Sequence, residues 1–147
     1  GSVHCFEINR DQLRALRENA ARNRLKNVVV NQIGLWSSPS WLQLVGDDSH
    51  ASPREVLEAQ GNDSHPATSI DKYVEDRGIS VDVIVLDIEG GELSLLENDM
   101  GSLRNIDAVF AELHDRIVPG CVDKFFEFSK GRVLIKDKGE KYLSVKR

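Results

Sequence analysis

Apolar residues along this chain switch between continuous β-branched runs and helical spacing. The runs predict strands at residues 3–8, 28–33, 41–45, 81–87, 107–114, 132–136 and 142–146. The helical spacing predicts helices at residues 10–23, 70–77, 92–98 and 122–129. Asn9 and Ser69 precede the first two helices and are typical cap residues, and Gly78 ends the second. Residues 46–68 are rich in Asp, Ser, His, Pro and Gly and predict a loop, with a short helix at 53–60.

Strands and helices alternate along most of the chain, which is typical of βαβ units. This order predicts an α/β fold with a mostly parallel sheet and right-handed crossovers. The last two strands flank a Lys138–Gly139 turn and predict a C-terminal antiparallel hairpin. No repeat or linker divides the sequence, so residues 1–147 are expected to form one domain.

The strand at residues 81–87 is a β-branched run that predicts burial on both faces of a parallel sheet. It ends in Asp87, and Glu89, two glycines and Glu92 follow at once. Acidic groups at the carboxyl end of such a strand lie where open α/β sheets bind ligands. The alternative is a solvated helix start, with Glu92 as a first-turn acid favoured by the helix dipole.

Three more residues at strand ends are candidates for chemistry. Glu7 ends the first strand, where a carboxylate can accept two hydrogen bonds from a ribose diol; a surface glutamate is the alternative. Glu112 and His114 alternate on one side of a later strand, at its carboxyl end. His114 would serve as a general base near neutral pH, with Glu112 orienting it or binding substrate. A histidine that is merely hydrogen-bonded at a strand end is the alternative.

Composition and net charge exclude some classes of binding partner and indicate a cellular location. The net charge of -5 argues against a nucleic-acid backbone as the main partner. No apolar run approaches the roughly 20 residues that cross a bilayer, so no membrane partner is expected. Cys5 and Cys121 are isolated and form no C-x-x-C motif, which indicates a reducing, cytoplasmic location and no structural zinc.

Several motifs resemble those of one enzyme superfamily. F-E-I-N-R at 6–10, with L-x-x-N at 16–19, resembles the second motif of class I S-adenosylmethionine-dependent methyltransferases. N-V-V-V at 27–30 and G-L-W-S at 34–37 are similar to their third strand and its adenine-side turn. T-S-I-D at 68–71, V-I-V-L-D-I-E-G-G-E at 83–92 and A-E-L-H at 111–114 resemble the FkbM family of that superfamily. Leu86 stands where that family has Lys, and Gly91 where it has Ala.

The resemblance implies a three-layer, Rossmann-like methyltransferase sandwich and methyl transfer from S-adenosylmethionine to oxygen on a small-molecule or sugar acceptor. Its implied residue roles fall into two groups. On the cofactor side, Glu7 would bind the ribose, with Asn9 as a further cofactor-binding residue. Gly34 and Leu35 would border the adenine, and Asp87 would face the transferred methyl. On the acceptor side, Glu89, Glu112 and His114, together with Asp87, would hold or deprotonate the acceptor.

Two other interpretations stay open beside it. The chain could be a catalytically silent binding or assembly module of the same fold. It could also be a metal-assisted enzyme in which Asp87, Glu112 and His114 ligate a divalent ion, as in catechol-type methyltransferases; the preferred interpretation has no metal.

The family's first strand and its glycine-rich loop do not occur in these 147 residues. In the family, that strand lies at the centre of the sheet, between the strands at 3–8 and 81–87. We therefore expect weak cofactor binding by this chain. We also expect these two strands to pair directly, Cys5–Glu7 with Ile84–Leu86, because buried orphan backbone groups are costly. A homodimer that supplies the strand is the alternative.

Overall fold

A computed structural model describes residues 1–46, 51–56, 61–98 and 100–147. Within them the chain forms the following strands and helices, in order along the sequence. They are β1 (Val3–Phe6), α1 (Arg10–Arg22), β2 (Val28–Asn31), β3 (Gly34–Leu35), β4 (Ser40–Val45), β5 (Ser52–Val56), a 3-10 helix (Gly61–Asp63), β6 (Ser64–Thr68), α2 (Ile70–Arg77), β7 (Val83–Leu86), α3 (Glu92–Asn98), α4 (Met100–Asn105), β8 (Ala108–Glu112), α5 (Cys121–Phe128), β9 (Val133–Lys136) and β10 (Lys141–Val145).

The helix starts are set by local polar side chains, as the sequence predicts. The Asn9 side chain accepts hydrogen bonds from the N–H groups of Asp11 and Gln12, and α1 begins there. Ser69 accepts from the N–H of Lys72 at the start of α2, and Gly78 ends that helix at a φ of 60°. The cap residues predicted from sequence are confirmed.

The described strands form three sheets rather than one mostly parallel sheet. The order β7-β8-β10-β9 gives one sheet, β3-β6-β4-β5 a second, and β1-β2 a parallel pair. β7 and β8 are parallel, whereas β8, β10 and β9 are antiparallel to one another, so the predicted C-terminal hairpin is confirmed. The α/β class is as expected, but the single continuous sheet is not observed in this part of the chain.

The predicted direct pairing of Cys5–Glu7 with Ile84–Leu86 is wrong. Among the described residues, β1 pairs with β2 and β7 with β8, and both strands line one cavity of about 1280 Å³. The expectation assumed buried edges, but these edges face an open cavity where water can satisfy the backbone groups. The predicted burial of β7 on both faces is also wrong, since Val83 is 53% and Val85 72% exposed.

Residues 46–68 contain more regular structure than their composition suggests. β5 and β6 occupy much of the predicted loop, and Pro53–Val56 of the predicted helix is strand. Both strands pair antiparallel with β4, Trp41 opposite Val56 and Leu42 opposite His65. Pairing at this sequence distance overrides local propensity, and Pro53 fits because β5 is an edge strand. Residues 57–60 of the predicted helix lie outside the described residues.

One face of the β7–β8–β10–β9 sheet carries the main core. α3 and α5 contribute buried residues that pack with Leu86 of β7 and Val109 of β8, namely Leu95, Leu96, Phe125 and Phe128. Both cysteine thiols are free, and burial raises the pKa of Cys121 to about 11, which makes that thiol unreactive near neutral pH. Among the described helices, none has the length and apolar character that crossing a membrane requires.

Candidate active site

Three carboxylates surround one imidazole at the carboxyl ends of β7 and β8. His114 is only 2% exposed, and its Nδ1 lies 2.8 Å from Glu92 Oε1. On the other side of the ring, His114 Nε2 lies 3.5 Å from Glu89 Oε2 and 3.8 Å from Asp87 Oδ1. The parallel pairing of Leu86 with Ala111 places the two strand ends side by side. The structure therefore brings together Asp87, Glu89 and His114, which the sequence proposes as site residues.

Glu92 is the residue that sequence reasoning missed. The alternative interpretation of this segment made Glu92 a solvated first-turn acid, but its side chain is fully buried. Its carboxylate accepts hydrogen bonds from the backbone N–H groups of Ile88 and Gly90 as well as contacting His114. One carboxylate thus fixes both the turn after β7 and the orientation of the imidazole.

The spacing of residues in the sequence indicates that the Glu92 side chain is buried. Glu92 precedes Leu95 and Leu96 by three and four positions, so it lies on the apolar stripe of α3. An acid on the buried stripe of a helix must find partners, and the nearest candidates are polar groups at the adjacent strand end.

The turn between β7 and α3 is held in a constrained conformation. Glu89 has a φ of 48° and Gly90 a φ of 100°, and the left-handed region is uncommon for a residue with a side chain. The Oε2 atom of Glu89 is buried without a hydrogen bond among the described residues. A Cβ added at Gly91 would lie 3.0 Å from both Ile88 and Trp36, so those side chains would have to shift to accept an alanine at this position. Strained backbone with an orphaned polar atom is a common feature of functional sites.

The carboxylates decide the charge of His114. Burial of the imidazole lowers its pKa, but the hydrogen bond that the imidazole donates to Glu92 and the charges of Glu92, Glu89 and Asp87 outweigh burial and raise the pKa above 6.5. His114 is thus disposed toward the imidazolium form, with its N–H groups directed at carboxylates. This arrangement favours a role for His114 as a hydrogen-bond donor over the role of general base that was expected from the sequence.

A pH prediction follows from that shift. Because the folded-state pKa is raised, the stabilisation from protonated His114 should be complete below the unfolded value of about 6.5 and lost as the pH rises through the folded value. Unfolding free energies of the parent and of His114→Gln should therefore differ most at low pH and converge at alkaline pH. Denaturant titrations between pH 6 and 9 measure this, and two curves that stay parallel would contradict it.

Glu112 lies near this cluster, but with a different partner. Its carboxylate is 3.5 Å from the Lys141 ammonium. Ligand atoms of Glu112, His114 and Glu140 also fall within 4.8 Å of one another, as do those of Asp87, Glu89 and His114. The metal ligands of the alternative interpretation, Asp87, Glu112 and His114, are thus divided between two groups that share His114.

The proposed cofactor residues all line the cavity between β1 and β7. These residues are Glu7, Asn9, Gly34, Leu35 and Asp87. Glu7 Oε1 accepts a hydrogen bond from the Asn9 N–H at 2.7 Å, and this bond fixes the turn from β1 into α1. A Cβ added at Gly34 would lie 2.6 Å from Leu42 Cδ1, so this glycine is needed for close packing. Asp87 is 59% exposed and borders both the cavity and the His114 cluster.

Comparisons with known proteins identify the family of this chain. The family model described as "Methyltransferase FkbM domain" matches residues 1–142. The chain is similar to the hexuronic acid methyltransferase AglP of Haloferax volcanii, with 27% identity over 130 residues that cover 88% of this chain and 54% of that protein. Its structure is similar to the crystal structure of methyltransferase FkbM from Methylobacillus flagellatus, with a TM-score of 0.65 and 14% identity over 98% of this chain and 36% of the other.

In open α/β folds, ligands bind beyond the carboxyl ends of the parallel strands, which is where this cluster of carboxylates lies. Because the family model covers nearly all of the sequence, the chain belongs to the FkbM methyltransferase domain family. It spans about half the length of AglP and about a third of the length of the crystallised FkbM protein.

Proposed function

We propose that this chain forms part of an S-adenosylmethionine-dependent methyltransferase with a Rossmann-like fold that transfers methyl to oxygen on a sugar or other small-molecule acceptor. The observation that carries the proposal is the position of Asp87. It lines the cavity shared by the candidate cofactor residues, and it lies 3.8 Å from the buried His114. The site of the methyl donor and the site of the methyl acceptor would meet at Asp87. The sugar acceptor is favoured by the similarity to AglP, which is named a hexuronic acid methyltransferase.

The residues on the cavity side suit such a cofactor. The half-buried Glu7 offers a carboxylate at the end of β1, and carboxylates bind ribose diols through paired acceptor oxygens. Leu35 offers apolar surface for a purine beside the tightly packed Gly34. The exposed Asp87 places negative charge at the mouth of the site. When bound, S-adenosylmethionine supplies an electrophilic methyl group.

On the acceptor side, the chain would chiefly orient a hydroxyl group and manage its proton. Methyl transfer from a sulfonium depends mainly on alignment, which rigid polar contacts provide. Asp87 and Glu89 can accept a hydrogen bond from an acceptor hydroxyl and share its proton as oxygen–methyl bonding develops. His114, protonated and anchored by Glu92, would hold these carboxylates in place.

Calorimetry tests the cofactor site. We expect the 147-residue chain to bind S-adenosylmethionine weakly or not at all, and a polypeptide that also carries the glycine-rich first strand–helix unit to bind it. In that longer protein, Glu7→Ala should weaken binding, whereas Glu18→Ala on the exposed face of α1 should not. Low-micromolar affinity of the 147-residue chain alone would contradict the first expectation. Failure of the longer protein to bind would favour the silent binding or assembly module.

A metal-assisted reaction is the second candidate, because Asp87, Glu89 and His114 present three ligand atoms within 4.8 Å of one another. Carboxylate and imidazole ligands suit several divalent metals, but a histidine ligand must be deprotonated. The raised pKa of His114 opposes that state. We therefore expect EDTA to leave the melting temperature and activity unchanged. Loss of activity with EDTA, restored by Mg²⁺ or Mn²⁺, would favour the metal instead.

A further inference from the structure

Two cations lie beside the carboxylate cluster, and neither has a role in the reaction proposed above. Lys141 begins β10 and stands opposite Glu112 of β8 in the strand register, with its ammonium 3.5 Å from the Glu112 carboxylate. Arg116 lies in the segment after β8, and its Nε is 3.4 Å from Glu140 Oε2. Ligand atoms of Glu112, His114 and Glu140 lie within 4.8 Å of one another. Both ion pairs therefore adjoin the candidate active site.

The fold fixes the position of the backbone that carries Arg116. The carbonyl of His114 accepts hydrogen bonds from the N–H groups of Ile117 and Val118. The side chains of these two residues also lie 3.2 and 3.0 Å from the position that a Cβ on Gly90 would take. The segment around Arg116 is therefore packed against the turn between β7 and α3, where the acidic residues of the site lie.

Both cations are held only loosely by their present partners. A good hydrogen bond between a charged nitrogen and a carboxylate oxygen measures about 2.7–2.9 Å. The Lys124–Glu127 pair of α5 comes close to this at 3.0 Å, whereas the pairs of Arg116 and Lys141 measure 3.4 and 3.5 Å. The side chains of Arg116 and Lys141 are 55% and 62% exposed, and within the described part of the chain Arg116 makes its ion pair through Nε. Its terminal nitrogens are thus accessible to an anion that arrives from solvent.

We propose that Arg116 and Lys141 bind an anionic group on the acceptor, so that the acceptor is an acidic sugar rather than a neutral one. This inference rests on the proposed function and names the substrate class of the same site. Arg116 would bind the carboxylate or phosphate of the sugar through two parallel hydrogen bonds, and Lys141 would contribute a point charge. Because both ion pairs adjoin His114, a sugar whose anion is bound there can direct a hydroxyl toward Asp87 and Glu89.

The charge of the site explains why an acidic acceptor needs these cations. Asp87, Glu89 and Glu92 together carry more negative charge than one imidazolium at His114 neutralises. An acidic sugar would be repelled by these residues alone, because like charges brought together oppose binding. A neutral sugar needs no such compensation, and in that case the two cations would form only solvated ion pairs.

Calorimetry on the natural polypeptide that contains these residues compares three probes, which are methyl glucuronide, glucosyl phosphate and methyl glucoside. Titrations are made with and without S-adenosylhomocysteine, which occupies a donor site but supplies no methyl group. We expect at least one anionic probe to bind at least about 10-fold more tightly than methyl glucoside, as hydrogen bonds to charged groups allow. Arg116→Gln should remove most of this preference. Lys146→Gln, which removes the same charge beyond the other end of β10, should not.

Glu140→Gln tests the proposal in the opposite direction. Because this variant removes the carboxylate that competes for Arg116, it should tighten binding of the anionic probe by about threefold. Binding of methyl glucoside should stay unchanged. A solvated ion pair without a role in binding would give no change for either probe.

Three results would overturn the proposal. They are equal affinity for the anionic and neutral probes, no binding of either anionic probe, and a preference that survives Arg116→Gln. If Arg116→Gln does not fold, the Glu140→Gln titration decides, and the anionic probe that binds more tightly identifies the anion. A preference for acidic sugars in a protein that transfers no methyl would remove the proposed function alone. Methyl transfer to neutral and acidic sugars at equal rates would remove this inference alone.

Discussion

Replacing Glu92 with alanine should lower the free energy of unfolding by about 3–5 kcal/mol, the range seen when one member of a buried ionic pair is removed. The expected effect is large because three donors lose their acceptor at once: the N–H groups of Ile88 and Gly90 and the ring of His114. Two of these donors belong to the turn that precedes α3, and the third belongs to the segment after β8. Chemical denaturation of parent and variant measures the difference.

Two further variants serve as controls for Glu92→Ala. One tests the charge of the Glu92 side chain, and the other tests an exposed glutamate of the same helix. Glu92→Gln keeps an acceptor oxygen and nearly the same volume but removes the negative charge, so it should cost less than alanine and lower the pKa of His114. Glu97→Ala, on the exposed side of the same helix, should change stability by less than about 0.5 kcal/mol. A Glu92→Ala variant as stable as Glu97→Ala would show that this carboxylate is dispensable.

Replacing Asp87 with asparagine should lower turnover about 10²–10⁴-fold in a polypeptide that carries out the proposed methyl transfer, the range associated with loss of a proton-accepting group. The same change should leave the melting temperature nearly unaltered, because Asp87 is largely exposed and no buried group depends on it for a hydrogen bond among the described residues. Steady-state kinetics and thermal melts on the same preparations measure both quantities.

The control for this variant lies at the other end of the same strand. Asp82→Asn removes another exposed charge at the end of β7 away from the cluster and should change neither turnover nor the melting temperature. If Asp87→Asn keeps full turnover, Asp87 is not at the reacting centre. Glu92→Ala is expected to differ from both aspartate variants, since it should reduce stability and turnover together.

Local features of the fold were predictable because they depend on neighbours in the sequence. Asn9 and Ser69 cap helices through hydrogen bonds within three residues, and Gly78 ends α2 with a backbone conformation that glycine adopts easily. The strands β5 and β6 were not predictable in this way, because their stability comes from pairing with β4. The predicted pairing of β1 with β7 was wrong because the prediction assumed that the free edges of these two strands would be buried.

The candidate site was predictable to the extent that it follows from strand order. Asp87, Glu89 and His114 end strands that are parallel neighbours, so their meeting follows from the fold class. Glu92 was missed because its position in a first helical turn suggested a dipole effect, whereas its place on the apolar stripe decides its burial. The role of Glu112 depends on Lys141, a partner from another strand that no local pattern identifies.

The carboxylate of Glu92 serves two segments that are 22 positions apart in sequence. A change at either Glu92 or His114 alone leaves a buried polar group without its partner, whereas a matched change at both can restore a satisfied or an apolar pair. The costs of the two substitutions are therefore not expected to add, and the double substitution should cost less than the sum of the two single ones. The two residues therefore act as one structural unit, in which the short acidic motif after β7 and the histidine in the segment after β8 hold each other's side chains in place.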